Sequence, residues 1–222
     1  MCDTEIEIQA NSFRRSTSRL EDQVLKSEEA MTILTTRFEN ALVYTARLHN
    51  GQIRKATNIP YISHLLSVSA LVLENGGGED EAIAALLHDA VEDQGGLPVL
   101  EDIRLIFGER VAVIVDGCTD AYGKPKPPWK ERKERYLERL RDAMPDVRRV
   151  SLADKLHNVR SLLEALRLEG PNVWDRFNGG LVGTLWYYQE LLDVFQSTGK
   201  DAMTDQFERV LVELKGIAQE TG

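Results

Sequence analysis

The chain has 222 residues, of which 42% are hydrophobic and 28% charged, an ordinary composition for one globular domain. Its formal net charge of −9 argues against a general affinity for nucleic acid polymers or anionic membranes. No apolar run approaches the roughly 20 residues that a membrane span requires. The two cysteines, Cys2 and Cys118, lack the spacing of a metal site, so the sequence predicts reduced thiols and a cytoplasmic protein.

Residues 1–30 differ in character from the rest of the chain. They are polar and lack hydrophobic periodicity, which predicts a flexible N-terminal extension with one short helix near Leu20–Lys26. Met31 opens the strongly patterned region, and one hypothesis is that the natural chain begins there. Residues 31–222 are predicted to form a single folded domain.

From Met31 onwards the pattern predicts one helix after another, and hence an all-α fold. Glycines at helix ends and prolines at helix starts mark most of the boundaries. Residues 111–115 could form a strand, but a helix is predicted because partner strands are scarce elsewhere. A basic, proline-rich loop is predicted over 121–128. A patterned stretch opens at Met31 and stops at Gly51, and a helix that begins at Glu79 carries His88. The other predicted helices cover 62–73, 99–107, 109–118, 129–144, 145–168, 178–196 and 200–218.

Four polar residues stand close together in the otherwise apolar run 84–93: His88, Asp89, Glu92 and Asp93. In a continuous helix, side chains three and four positions apart share a face, with Cβ atoms ~6 Å apart. Three carboxylates crowded on an apolar helix repel one another and resist desolvation. A bound cation would remove that conflict, so the run predicts a metal site.

Two other segments supply further candidate ligands, His64 and Asp154. Together with His88 and Asp89 they form a mixed nitrogen and oxygen donor set. Such a set suits Mn²⁺, Fe²⁺ or Mg²⁺ better than a closed structural zinc site.

These residues fall in three blocks: residues 54–64, which end in Ile-Pro-Tyr-Ile-Ser-His; residues 87–93, Leu-His-Asp-Ala-Val-Glu-Asp; and residues 152–160, Leu-Ala-Asp-Lys-Leu-His-Asn-Val-Arg. In this order the blocks resemble the HD-domain hydrolases of the RelA/SpoT type, most closely the stand-alone small alarmone hydrolases. The resemblance covers roughly residues 36–195. It implies an all-helical HD fold and removal of the 3′-pyrophosphate from guanosine tetra- or pentaphosphate (ppGpp or pppGpp).

The resemblance also implies roles for single residues. One Mn²⁺ would be held by His64, His88, Asp89 and Asp154, with Fe²⁺ or Mg²⁺ left open. Glu92 and Asp93 would position and activate the attacking water rather than bind the metal. The implied substrate-binding set, in which Arg54 stacks on the guanine and Asn158 binds the nucleoside, is Arg54, Lys55, Lys126, Lys130, Lys133, Tyr136, Asn158, Arg160 and Ser161.

Two alternatives stay open at this point. The substrate could be another 3′-phosphorylated nucleotide, such as an adenosine alarmone, because a stacking arginine tolerates either purine. The domain could also be a catalytically silent nucleotide sensor, although a pure binding site would gain nothing from the Glu92-Asp93 pair. His49 and His157 are predicted to bond locally, and residues 186–188 to belong to the core or an interface. The expected partner is a small nucleotide, and a homodimer is compatible with the sequence.

Overall fold

The computed structural model describes residues 32–55, 57–123, 125–199 and 201–220. The chain divides into two compact units, Met1–Ile33 and Leu34–Gly222. Only Thr32 and Ile33 of the first unit are described; both are exposed and neither belongs to a helix. The predicted extension 1–30, its short helix and the alternative start at Met31 lie outside the described residues.

The described part of Leu34–Gly222 is all-α and contains no strand, as the sequence predicted; its one extended pairing is an isolated bridge between Ile53 and Pro60. Residues 111–115 lie within a helix. No described helix combines the length and apolarity needed to cross a bilayer. The helices are α1 (Thr36–Leu48), α2 (Ile62–Glu74), α3 (Glu79–Leu87), α4 (Ala90–Gln94), α5 (Leu97–Phe107), α6 (Glu109–Cys118), α7 (Trp129–Arg141), α8 (Pro145–Glu169), α9 (Gly180–Ser197) and α10 (Ala202–Glu220), with a 3₁₀-helix at Pro171–Arg176 that the sequence reading missed.

Helix α3 is the central element of the core. Every residue from Ala82 to Leu87 is fully buried, because α1, α2, α6 and α8 all pack around this helix. A helix that is apolar on all sides is stable only in such a position. The C-terminal end of α3 therefore holds His88 in a fixed position that is shielded from water.

The segment that carries the His-Asp pair is not one continuous helix, which corrects the sequence prediction. Helix α3 ends at Leu87 and α4 begins at Ala90, so that His88 and Asp89 form the turn between them. The ψ angle of −3° at Asp89 lies in the bridge region of backbone space and interrupts the helical hydrogen-bond ladder. Glu92 and Asp93 are consequently presented from a separate short helix.

Gly96, between α4 and α5, permits a close approach of the proline-rich loop. Its φ angle is +67°, which L side chains rarely adopt, and a Cβ at this position would lie 2.6 Å from the Tyr122 carbonyl oxygen. Glycine here lets the Tyr122 backbone pack against the turn that follows Asp93.

Substitutions in α3 should show how far the fold depends on this helix. Leu86 is fully buried, so Leu86→Ala should lower the free energy of unfolding by about 2–5 kcal/mol through lost contacts and a residual cavity. Leu105→Ala is the matched control; because Leu105 is 83% exposed, its effect should stay within about 0.5 kcal/mol. Urea denaturation followed by circular dichroism measures both, and equal losses would contradict the central position of α3.

Candidate metal centre and adjoining cavity

The structure brings the four predicted ligands together from three parts of the chain. His64 lies in α2, His88 and Asp89 in the α3–α4 turn, and Asp154 in α8. The His64 Nε2 is 3.6 Å from the Asp89 Oδ2 and 3.2 Å from the Asp154 Oδ1. The corresponding distances from the His88 Nε2 are 3.1 and 3.6 Å. Two imidazole nitrogens thus converge with two carboxylate oxygens.

The donor atoms fit a divalent cation. His88 is 2% exposed, and its Nδ1 lies 2.8 Å from the Ala85 carbonyl oxygen, which leaves Nε2 to face the cluster. This buried Nε2 lies 3.1 Å from the Asp89 Oδ2 in a geometry that makes no hydrogen bond. A cation coordinated by Nε2 would supply the missing partner, and the mixed donor set suits Mn²⁺, Fe²⁺ or Mg²⁺.

The electrostatics of the cluster keep its carboxylates ionised. Burial opposes ionisation, but Lys155 and His88 hold the pKa of Asp154 well below its usual range. For Asp89 burial is likewise outweighed, by His88 and His64, and its pKa is also held well below the usual range. The cluster therefore presents two negative charges to a cation.

Further side chains orient the ligands from outside. The Tyr61 hydroxyl donates to the Asp89 Oδ2 at 2.5 Å, and Asp154 accepts from the Asn158 Nδ2 at 2.5 Å and the Lys155 Nζ at 2.6 Å. His157, which was predicted to pack or bond locally, instead lies with its Nδ1 2.8 Å from the Nδ1 of His64, which is 93 positions away in the chain. Burial and the neighbouring His64 lower the pKa of His157 to about 4, so that its ring is neutral at pH 7.

Glu92 and Asp93 are held in different ways. Glu92 lines a small cavity of about 160 Å³ beside Asp89 and Asp154. Its Oε1 accepts from the Lys126 Nζ at 2.6 Å and its Oε2 from the backbone N–H of Asp120 at 3.3 Å.

Asp93 has a neutral partner instead. Its Oδ2 accepts from the Gln52 Nε2 at 2.8 Å, and Gln52 is in turn bonded to Gln94. Desolvation and the nearby Asp89 carboxylate raise the pKa of Asp93. The Asp93 carboxylate is therefore more basic than an ordinary aspartate, a property that suits a proton acceptor.

A larger cavity of about 390 Å³ adjoins the metal centre. The two cavities have walls in common at Tyr61, Lys133, Lys155, Asn158 and Tyr187. Of the predicted substrate-binding residues, the larger cavity contains Arg54, Lys55, Lys133, Asn158 and Ser161.

Hydrogen bonds fix the cationic side of this cavity. The Arg54 Nη2 donates to the Asn158 Oδ1 at 3.0 Å, which holds the guanidinium plane beside the cavity. The Lys55 Nζ donates to the backbone carbonyl of Arg176 in the 3₁₀-helix.

The other predicted substrate-binding residues lie elsewhere. Tyr136 is buried, shares a hydrogen bond with the Ser151 hydroxyl and lines the small cavity. Lys126 is bonded to Glu92. Lys130 and Arg160 line neither cavity: the Lys130 side chain is 69% exposed and Arg160 donates to Gln206.

Several residues that line these cavities were not among the predicted site residues. Lys155 lies inside the third sequence block, residues 152–160, directly after Asp154, so its position in that block could have identified it. Trp129 and Tyr187 line the larger cavity, although Tyr187 is also buried, in keeping with its prediction as a core residue. Asp120 carries no sequence signal, because its neighbours Arg132 and Lys133 reach it only in the folded chain.

Comparisons with known proteins agree with this geometry. Residues 41–183 match the HD domain family. The Xenopus tropicalis guanosine-3′,5′-bis(diphosphate) 3′-pyrophosphohydrolase MESH1 is 40% identical over 122 residues, which are 54% of this chain and 65% of that protein. The Drosophila melanogaster protein of the same name is 34% identical over 146 residues, 64% of this chain and 76% of that protein.

A solved structure is also similar. It is described as a metazoan ortholog of SpoT that hydrolyses ppGpp and plays a role in starvation responses, and it superposes with a TM-score of 0.65 at 27% identity. The superposition covers 86% of this chain and 98% of that one. The match over residues 41–183, together with the convergence of the two histidines and two aspartates, shows that the chain belongs to the HD domain family.

Proposed function

We propose that this protein is a metal-dependent guanosine-3′,5′-bis(diphosphate) 3′-pyrophosphohydrolase, which converts guanosine tetra- or pentaphosphate to GDP or GTP and pyrophosphate. The observation that carries the proposal is the contact between the ligand cluster, with Glu92 at its side, and a cavity lined by cations and aromatic rings. The names of the Xenopus and Drosophila relatives support the same reaction. The cytoplasm is the proposed compartment.

The metal would be held by His64, His88, Asp89 and Asp154, and we propose Mn²⁺. A divalent ion of this kind, when bound, lowers the pKa of a water ligand towards ~7 and polarises phosphoryl oxygens.

The two remaining carboxylates act on the attacking water. Glu92 lines the small cavity beside Asp89 and Asp154 and is placed to orient the water there. The carboxylate pair accepts the water's proton, and the raised pKa of Asp93 favours that transfer. A positioned acid or base of this type contributes about a hundredfold to ten-thousandfold in rate.

The substrate lies in the larger cavity. The planar Arg54 guanidinium, oriented by Asn158, stacks on the purine, and Ser161 lies on the nucleoside side of the same cavity. Lys133 and Lys155 line both cavities, so they are placed to meet the charge of the 3′-pyrophosphate. The pyrophosphate that leaves carries negative charge, and cations such as these are needed to stabilise it.

Arg54→Lys should separate stacking from charge. Lysine keeps the positive charge but loses the planar surface and the fork that bonds to Asn158, so KM for guanosine tetraphosphate should rise about tenfold, with little change in kcat. Arg141→Lys is the control, because Arg141 is exposed and pairs with Glu190 outside both cavities. Steady-state kinetics measure both variants. A fall in kcat without a change in KM would contradict the stacking role.

A panel of nucleotides tests the proposed function. The Mn²⁺-loaded protein is incubated with guanosine tetraphosphate, its adenosine counterpart and a nucleoside 3′-monophosphate, and products are separated by anion-exchange chromatography. Release of pyrophosphate from the guanosine compound at the highest kcat/KM supports the proposal. Preference for the adenosine compound would assign another alarmone, and binding without turnover would assign a silent sensor.

A further inference from the structure

Lys126 and Glu92 form a partly buried ion pair in the substrate-free protein. The Lys126 Nζ lies 2.6 Å from the Glu92 Oε1, and the two side chains are 30% and 19% exposed. Charges withdrawn from water in this way interact more strongly than a surface pair. A second cation is also near: the Arg132 Nη1 lies 3.9 Å from the same Glu92 oxygen.

This pairing conflicts with the chemistry proposed for Glu92. A carboxylate oxygen that accepts a hydrogen bond from an ammonium group has a lone pair occupied that a proton of water would otherwise take. It is also less free to reorient towards the small cavity that it lines. The free protein thus has Glu92 in a form unsuited to its proposed role.

Other charged groups lie close to the pair. Three cations, Lys126, Arg132 and Lys133, form ion pairs with the carboxylates of Glu92 and Asp120, and Lys126 also acts on the Asp93 carboxylate. Asp120 binds Arg132 and also Lys133, at 2.8 Å. A pyrophosphate group, with two or more negative charges, would offer these cations a stronger partner than a single carboxylate does.

We propose that Lys126 exchanges partners when substrate binds: it pairs with Glu92 in the free protein and moves to the 3′-pyrophosphate in the complex, so that Glu92 is released only by a substrate that carries a pyrophosphate. Lys126 would then be a specificity-determining residue that suppresses hydrolysis of 3′-monophosphates. The inference rests on the proposed function, because it names the group that this same site selects.

The first test compares two substrates in the metal-loaded protein: guanosine tetraphosphate and guanosine 5′-diphosphate 3′-monophosphate. Lys126→Met keeps most of the side-chain length but removes the charge. It should lower kcat/KM for the tetraphosphate about tenfold or more, mainly through KM, while raising kcat for the monophosphate several-fold. Lys215→Met, which removes a lysine bonded to Gln189 outside both cavities, should change neither rate. Equal losses on both substrates would overturn the exchange.

The second test does not depend on turnover. Inorganic pyrophosphate is titrated calorimetrically into the wild type, Glu92→Gln, Lys126→Met and the double variant. Because Glu92 competes with pyrophosphate for Lys126, Glu92→Gln should tighten binding several-fold in the wild-type background and leave it unchanged when Lys126 is methionine. Tightening of the same size in both backgrounds would show a through-space charge effect and overturn the exchange. If the four proteins show the predicted pattern of pyrophosphate affinities but the wild type releases no pyrophosphate from guanosine tetraphosphate, the exchange is supported. That outcome contradicts only the proposed function.

Discussion

Asp154→Asn is expected to abolish metal retention and to lower the hydrolysis of guanosine tetraphosphate by at least about a thousandfold. The Asp154 Oδ1 lies within 3.6 Å of both histidine Nε2 atoms, and an amide of the same shape supplies no negative charge to a cation. Metal content after dialysis, measured by mass spectrometry, and pyrophosphate release test the two effects together.

Asp154→Asn has a second consequence, which the controls must distinguish from the loss of metal. Lys155, whose side chain is 15% exposed, would lose its carboxylate partner and leave a poorly solvated charge. Circular dichroism should therefore establish that the variant is folded, and His88→Gln, which removes a ligand without stranding Lys155, should lose metal as well. Asp146→Asn is the matched control, since Asp146 is buried and paired with Arg110 outside both cavities. Full metal content and turnover in Asp154→Asn would contradict the ligand assignment.

Glu92→Gln is expected to retain the metal while losing about a hundredfold to ten-thousandfold in kcat. Glu92 is not part of the ligand cluster; it faces the small cavity and is bonded to Lys126 and the Asp120 backbone. Glutamine keeps the size of the side chain but cannot accept the proton. Metal content and turnover are measured on the same sample, because loss of a metal ligand would lower both whereas loss of Glu92 should lower only turnover.

Glu134→Gln is the matched control for this variant, because Glu134 is half-exposed and pairs with Lys130 outside both cavities. It should have wild-type kinetics. Unchanged turnover in Glu92→Gln would remove Glu92 from the mechanism and leave Asp93 as the proton acceptor.

The helical fold could be predicted from the sequence because its signals are local. Apolar periodicity, the prolines that open α5 and α8, and the glycines that follow α5 and α8 each act within a few residues. The break at His88 and Asp89 could not be predicted in this way. Both residues keep near-helical backbone angles, and the interruption follows from a change in ψ at Asp89 that no residue type requires.

The convergence of His64, His88, Asp89 and Asp154 could be predicted because each lies in a recognisable sequence block, whereas the walls of the cavities could not. The contact between Asp120 and Arg132 joins residues that share no motif, so it has no local signature in the sequence. Lys130 and Lys133 show the same limit. They are one turn apart in α7, yet Lys133 pairs with Asp120 and its side chain is 16% exposed, whereas the Lys130 side chain is 69% exposed.

The most direct measurement is a metal titration of the stripped protein. The chain is freed of metal with a chelator and returned to buffer, and pyrophosphate release from guanosine tetraphosphate is followed by phosphorus NMR as Mn²⁺ is added. We expect no release before addition, then release of intact pyrophosphate and GDP that saturates at about one ion per chain, as a single cluster of four ligands requires. Release without metal, or no release with any divalent cation, would contradict the account.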